Sequence, residues 1–344
     1  LANIFQDAGK HPSYLVGSGE VTGLPYPGAY DKNGEVFITE ADEYVCCLQN
    51  PIPKMLFQNP RIIVIPGLSF DHPDVYKNSQ ETLKAFVAFV LKLPQDGCLI
   101  INIGNELSKQ LCQLVVGKVK IITYGENDGD WKLQNYQIND GSYTFDLVSN
   151  KQSLHLLLGV PGIFNALNAS GAVLAAHFLG VTDFSGLTNY IGLERRFQKI
   201  ASIGSTLLYD DYAHHPQEIL VTLKTARNLF SDKKIIVLFQ SHTYSRTKAL
   251  LGDFAQSFTD CDLALIADIF PSAREKPDPT INGKLLTEQI RVYQPHVQYI
   301  DSQETALRIL SSQSLQNSVI FTMGAGDIYQ WHEAIIETIQ KQYA

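Results

Sequence analysis

Ile62-Ile63-Val64-Ile65-Pro66-Gly67-Leu68-Ser69-Phe70-Asp71-His72-Pro73-Asp74 is the stretch on which the fold turns. Consecutive β-branched residues have the composition of a buried strand, and Pro66-Gly67 ends it. Residues 70–74 then sit just past a strand's carboxyl end, where open α/β sheets bind their ligands. Upstream, residues 36–39 form a second short strand that delivers Glu40, Asp42 and Glu43 toward the same edge. Two acidic strand ends and a histidine suit a magnesium ion held against nucleotide phosphates. A solvated turn followed by a helix cap is the other reading of the same residues.

Outward from this stretch, strand and helix patterns alternate. Apolar residues at helical spacing (Leu83, Phe86, Val87, Val90, Leu91) mark a helix over 80–93, stopped by Pro94. Residues 98–103 and 119–123 are strand-like. Residues 125–158 form a polar β-hairpin region with turns at Asn127–Gly129 and Asp140–Gly141. An Ala-rich helix follows over 165–179, then a short helix and a linker over 181–194. From Phe197 a new series begins: strands at 205–209, 234–239, 262–267, 297–300 and 318–322, with helices at 216–229, 245–258, 284–293 and 303–310 and one last helix. Alternation of this kind predicts an α/β protein with mainly parallel sheets, in two domains, 1–190 and 191–344.

Composition narrows the class. The 344 residues are 45% hydrophobic and 18% charged, which is globular and leaves ample material for cores. A net charge of −8 without a basic tract argues against a non-specific nucleic-acid binder. Five cysteines without a Cys-x-x-Cys pair suit a reduced, cytosolic chain rather than a disulfide scaffold or zinc site. No apolar run approaches a membrane-spanning length. The chain opens on Leu1, and residues 1–9 read as the later part of an amphipathic helix closed by Gly9, which predicts a trimmed segment.

Other strand-to-helix turns carry chemistry. Asp210-Asp211-Tyr212-Ala213-His214-His215-Pro216 follows a strand and opens a helix, and its carboxylates and imidazoles can orient a ribose, an ammonium or a phosphate. A capped helix with satisfied histidines explains the same residues. A second such turn, FQSHTYSRT at 239–247, presents His242 and Arg246 to an anion. Arg195-Arg196 lies at the domain joint, where it can reach a phosphate or simply be solvated. Met323-Gly324-Ala325-Gly326-Asp327 permits close backbone approach, a weak signal by itself.

Together with EADE at 40–43, FDHPD at 70–74, PGIFNALN at 161–168, RRF at 195–197, AREKP at 273–277 and TMGAGD at 322–327, these turns resemble the Mur ligase family in composition and order. The resemblance is greatest to the members that join L-alanine to UDP-N-acetylmuramate in peptidoglycan precursor synthesis. The alternative is the branch that attaches a recycled tripeptide. It implies three domains in the bacterial cytoplasm: a UDP-binding domain, a central ATPase domain and an amino-acid-binding domain. This chain would hold the last two. Gly-x-x-x-x-Gly-Lys-[Ser/Thr] does not occur in the chain, so the resemblance places its start just beyond that phosphate loop. The implied chemistry is ATP-dependent, ADP-forming and magnesium-assisted, with an acyl phosphate attacked by the amine of L-alanine.

In family terms, Glu40 and His72 serve magnesium, Asn165 and Asn168 meet the adenine end of ATP, and Arg196 and Asp211 contact phosphate and ribose. Tyr212, His214, His242 and Arg246 hold the amino acid, and His72, Glu40 and Arg196 form the catalytic set. Closure of the two domains would exclude water from the acyl phosphate. The chain departs from the family pattern at four places. Gly67-Leu68-Ser69 replaces an Asn-Ile-Glu-like stretch, Phe164 a histidine and Thr243 an arginine, and the insert between Glu43 and Arg61 is longer than the L-alanine branch leads one to expect. Without the phosphate-loop lysine, the chain alone is expected to be inactive, and an inactive remnant or binding module is the remaining alternative.

Overall fold

The computed structural model describes residues 1–344 apart from 18–23, 48, 49, 74, 140, 141, 273 and 274. Asp74, the turn at Asp140–Gly141, and Ala273-Arg274 of AREKP therefore lie outside the described residues. The chain divides into two compact units, Leu1–Glu194 and Arg195–Ala344. Among the described residues, no helix is long and apolar enough to cross a membrane.

The first unit begins with α1 (Ala2–Asp7), whose Ile4 and Phe5 are buried, and Gly9 follows it at φ 69°. A three-stranded sheet pairs β1 (Ser13–Leu15) with β2 (Gly28–Ala29) and β3 (Phe37–Thr39). A small hairpin, β4 (Val45–Cys47) and β5 (Asn50–Pro53), leads to the main sheet. That sheet has β6 (Ile62–Ile65) at its edge, then β7 (Cys98–Asn102) and β8 (Lys120–Gly125), all parallel. It continues through β9 (Trp131–Asn139), β10 (Ser142–Ser149) and β11 (Ser153–Leu158), the last three an antiparallel meander.

Period-two alternation decides the faces. Ile63, Ile65, Leu99 and Ile101 share a core with Leu83 and Phe89 of α2 (Ser79–Val90) and with Leu111 and Val115 of α3 (Glu106–Val115). On the other face lies α4 (Ile163–Phe178). It comes so close at Gly171 that a Cβ there would stand 2.6 Å from the Tyr124 hydroxyl and 2.9 Å from Val64. The Ala-rich composition of α4 serves this close approach.

The second unit is built on one sheet, ordered β12-β13-β17-β14-β15-β16. Its strands are β12 (Gln198–Ile203), β13 (Thr206–Asp211), β14 (Lys234–Phe239), β15 (Leu263–Ile266), β16 (Val297–Tyr299) and β17 (Ser318–Met323). Only β12 is antiparallel to its neighbour. The connecting helices are α5 (Pro216–Leu229), α6 (Tyr244–Ala249), α7 (Leu251–Gln256), α8 (Gly283–Arg291), α9 (Gln303–Ser311) and α10 (His332–Lys341). Leu208, Ile236, Leu265 and Ile320 pack against Leu310 of α9 and Ile335 and Ile339 of α10. The chain runs outward from β14 to β16 and then returns to insert β17 between β13 and β14. The carboxyl ends of β13, β17 and β14 therefore meet where the strand order reverses, the place where open α/β sheets hold ligands.

Several sequence expectations need correction. The strand at 36–39 and the strand at 62–65 belong to different sheets, so they do not share one edge. The helix over 245–258 is two helices, broken at Leu250, whose backbone leaves the helical region at φ −110°, ψ 21° as its side chain turns inward. The elements not foreseen include α3, β1, β2, β12 and the β4–β5 hairpin.

Candidate active site

In the first unit, His72 occupies the loop after β6 with a left-handed backbone, φ 57°. Its Nε2 lies 3.1 Å from Glu43 Oε1 and 3.8 Å from Asp71 Oδ2, and its ring meets Tyr44 edge-on at 5.0 Å. The loop is closed from below by Tyr76, whose hydroxyl donates to the Glu43 carbonyl at 2.6 Å. Burial, together with the charges of Glu43 and Asp42, pushes the Tyr76 phenol up to about 12, so it stays a donor. The acidic stretch and the His72 loop thus meet through Glu43, although their strands lie in separate sheets. Glu40 is placed differently: its Oε1 accepts the Gly17 N–H at 3.0 Å and its carbonyl accepts from Gln58 Nε2 at 2.9 Å.

Among the described residues, no three His, Cys, Asp or Glu side chains gather as a metal cluster. Magnesium does not need one. It keeps several waters and binds through one or two carboxylates plus substrate phosphates. Glu40 offers one carboxylate of that kind, while the contacts of His72 run to Glu43 and Asp71, with Glu43 orienting the imidazole.

The two asparagines of α4 sit one turn apart. Asn165 Nδ2 donates to the Pro161 carbonyl at 2.6 Å, and Asn168 is exposed. The turn before them holds Gly162 at φ 100°, its N–H donating to the Tyr136 hydroxyl at 2.9 Å.

In the second unit, the ends of β13, β14 and β17 bring the remaining candidates together. Asp211 is buried, with Oδ1 accepting the Ala213 N–H at 2.7 Å and Oδ2 the Phe197 N–H at 2.8 Å. Burial raises its carboxyl to about 6, against those two N–H bonds and the charge of Arg196. At Asp210, burial also opposes ionisation. Hydrogen bonds from His332 and Thr322 and the charge of Arg195 outweigh it and hold this carboxyl below its ordinary range.

His215 caps α5 and Glu218 closes the reciprocal box, its Oε2 accepting the N–H groups of His214 and His215 at 3.0 and 3.1 Å. The His214 ring stands edge-on to Tyr212 at 5.1 Å and to His242 at 6.4 Å. Arg196 reaches Glu218 Oε1 at 3.5 Å and lies 5.3 Å from the Tyr212 ring, its side chain half-exposed.

The turn after β14 is tightly tied. Thr243 adopts φ 72°, uncommon for a β-branched residue, and its hydroxyl caps α6 at the Arg246 N–H. Ser241 and Thr247 share a buried hydroxyl bond of 2.6 Å, and the Glu275 carboxylate accepts the N–H groups of Tyr244 and Ser245. Arg246 is buried beside His242, donating from Nη1 to its carbonyl at 3.5 Å. Burial and the Arg246 charge push His242 below its ordinary value, with Glu275 opposing, so the imidazole is neutral at neutral pH.

Gly324, at φ 133°, lets the loop after β17 run against Gln240: a Cβ there would stand 2.2 Å from the Gln240 carbonyl. The Gln240 side chain in turn accepts the Ile328 N–H at 3.2 Å.

Two family models match these same units, the Mur ligase middle domain over residues 26–176 and the Mur ligase glutamate ligase domain over residues 195–326. UDP-N-acetylmuramate--L-alanine ligase of Desulfitobacterium hafniense (strain Y51) is 33% identical over 336 residues, 96% of this chain and 72% of that protein. The chain belongs to the Mur ligase family. The protein of the same name from Clostridium novyi (strain NT) is 36% identical over 313 residues, covering 89% of this chain and 65% of its own length. The chain thus spans about 65% of the length of that relative. In solved structures, UDP-N-acetylmuramate-alanine ligase from Thermotoga maritima superposes with a TM-score of 0.73 at 24% identity, over 99% of this chain and 71% of that one, which shows a shared fold.

Three Mur ligase residues without an assigned role in the sequence reading stand out in the geometry. Glu218 follows His215 by three, the spacing of a capping box, and that signal was available. Glu275, at the α6 amino terminus, and Gln240, against the β17 loop, lie inside the AREKP and FQSHTYSRT stretches, but their contacts cross the fold and no local spacing assigned their roles.

Proposed function

We propose that this Mur ligase chain belongs to an enzyme that joins L-alanine to the lactoyl carboxylate of UDP-N-acetylmuramate at the expense of ATP, in the bacterial cytoplasm. The supporting observation is the meeting of His214 and His242 at the ends of β13 and β14, with Tyr212, Arg196 and Arg246 around them. The substrate choice follows the names of the relatives, both L-alanine ligases.

In this reading the γ-phosphoryl group moves to a carboxylate oxygen of the lactoyl arm as its bond to ADP breaks. The alanine amine then attacks the acyl carbon, loses a proton and expels phosphate. Such transfers need positioning and charge neutralisation more than covalent help from the protein. Glu40 and His72 would hold Mg2+, which when bound supplies charge neutralisation at the phosphates. Glu43 fixes the imidazole, and Asp71 flanks it. Asn165 and Asn168 offer amide donors and acceptors to an adenine. Arg196 offers a guanidinium to phosphate and Asp211 stands just behind it. In the amino-acid site, Arg246 is a fork for a carboxylate. His242, kept neutral, faces it with an unprotonated ring nitrogen suited to an amine, and His214 and Tyr212 border the pair.

The acyl phosphate is tested with UDP-N-acetylmuramate labelled with 18O in the lactoyl carboxylate, using protein from the natural reading frame. One label carried into released phosphate is the expected result. Phosphate free of label would exclude carboxylate activation.

A further inference from the structure

Arg196 stands at the apex of a turn whose two flanks, Arg195 and Phe197, both have left-handed backbones, at φ 58° and 48°. Residues with a Cβ adopt that conformation at a cost, and it persists only where the surroundings over-determine it. Two consecutive aspartates at the end of β13 supply the restraint. Asp210 Oδ2 accepts Arg195 Nε at 2.9 Å, and Asp211 Oδ2 accepts the Phe197 N–H at 2.8 Å.

Each grip is itself anchored. Asp210 Oδ1 takes the Thr322 hydroxyl at 2.6 Å and lies 3.4 Å from His332 Nε2. The Arg195 guanidinium donates from Nη2 to the Gly324 carbonyl at 2.7 Å and lies over Tyr329 at 4.3 Å and Tyr212 at 5.0 Å. Phe197 is buried edge-on to Tyr209 and Phe321, at 5.2 and 5.3 Å. The Tyr212 N–H closes the turn onto the Arg195 carbonyl at 2.6 Å. All this ordering surrounds Arg196 while leaving its own guanidinium half-exposed, against Glu218 and the Tyr212 face.

We infer that Asp210 and Asp211 are positioning residues: each grips one flank of a strained turn, and together they hold Arg196 out toward the phosphate it serves. Asp211, whose two oxygens each accept a backbone N–H, orders the turn through Phe197 and so acts on Arg196. This rests on the reading of Arg196 as a phosphate-contacting group.

The test is a double-mutant cycle in the protein from its natural reading frame, with ATP varied at saturating levels of the other substrates. Asp211→Asn, Arg195→Lys and Arg196→Ala are measured singly, and the first two are repeated on the Arg196→Ala background. Arg195→Lys keeps a cation beside Asp210 while losing the fork to Gly324, so it decides the matter if Asp211→Asn does not fold. Each single change lowers kcat/KM for ATP by about 10- to 100-fold, the cost of misplacing a reacting group by about an ångström. On the Arg196→Ala background the second change adds less than about twofold, because its target is gone. Losses that multiply in full would overturn the inference. If the wild-type protein does not turn over, the functional reading fails and the inference is decided by a crystal structure of Arg195→Lys. Displacement of Arg196 from Glu218 and Tyr212 supports it, and an unmoved Arg196 contradicts it.

Discussion

His72 Nε2 and Glu43 Oε1 lie 3.1 Å apart, joining a histidine after the edge strand of one sheet to an acidic loop after another. A carboxylate in that position fixes the ring and raises its basicity as a ligand. Glu43→Gln keeps the shape and removes the charge, so it should raise the magnesium requirement and lower turnover about 10- to 100-fold, the usual cost of losing such a partner. Titration of activity against magnesium checks this. An unchanged curve would remove the metal role from this pair.

Asp211 gives a pH dependence with a definite sign. Its folded carboxyl is raised from the ordinary 3.8 to about 6 by burial, so the folded state binds the proton more tightly than the unfolded chain. Stability is therefore highest below about 4 as far as this group is concerned, and is lost as pH rises toward 6. Asp211→Asn should flatten that part of the profile. Urea midpoints of wild type and variant between those limits measure it, and parallel profiles would contradict the assignment.

Gly324 and Gly67 should respond oppositely to alanine. A Cβ at Gly324 would stand 2.2 Å from the Gln240 carbonyl, at φ 133°, whereas at Gly67 the nearest atom is Asn105 Nδ2 at 4.0 Å. Gly324→Ala should cost about 1–3 kcal/mol from the backbone alone and disturb the Arg195 contact. Gly67→Ala should stay within about 0.5 kcal/mol. Thermal melts distinguish them. Equal midpoints would mean that the β17 loop yields more easily than its packing implies.

Thr247→Val removes one half of the buried Ser241–Thr247 hydroxyl pair and leaves Ser241 without that partner. The expected loss is about 1–3 kcal/mol of stability, with a raised KM for the amino acid because the same turn carries His242 and Arg246. An unchanged KM would separate the turn from the amino-acid site.

The second unit was read from sequence nearly strand by strand, because its parallel core strands are unbroken apolar runs such as residues 318–323, all buried. The strand β12 escaped because residues 198–203 are only partly buried and Gln198, Lys199 and Ser202 break up any apolar run or alternation, as an edge strand allows. Helix α3 escaped because Glu106, Ser108, Lys109 and Gln110 dilute its apolar stripe of Leu107, Leu111 and Val115. The site residues were legible as turns after strands, since Asp, His and Arg cluster there. Their partners were not: Glu43 with His72, Asp210 with Arg195 and Glu275 with α6 are long-range pairs that no local spacing announces.

The most direct measurement is ADP release by the protein from its natural reading frame, given ATP, magnesium, UDP-N-acetylmuramate and L-alanine, with each omitted in turn. The account predicts release that requires all four. Release that is independent of L-alanine, or that appears only when the tripeptide replaces it, would contradict the account.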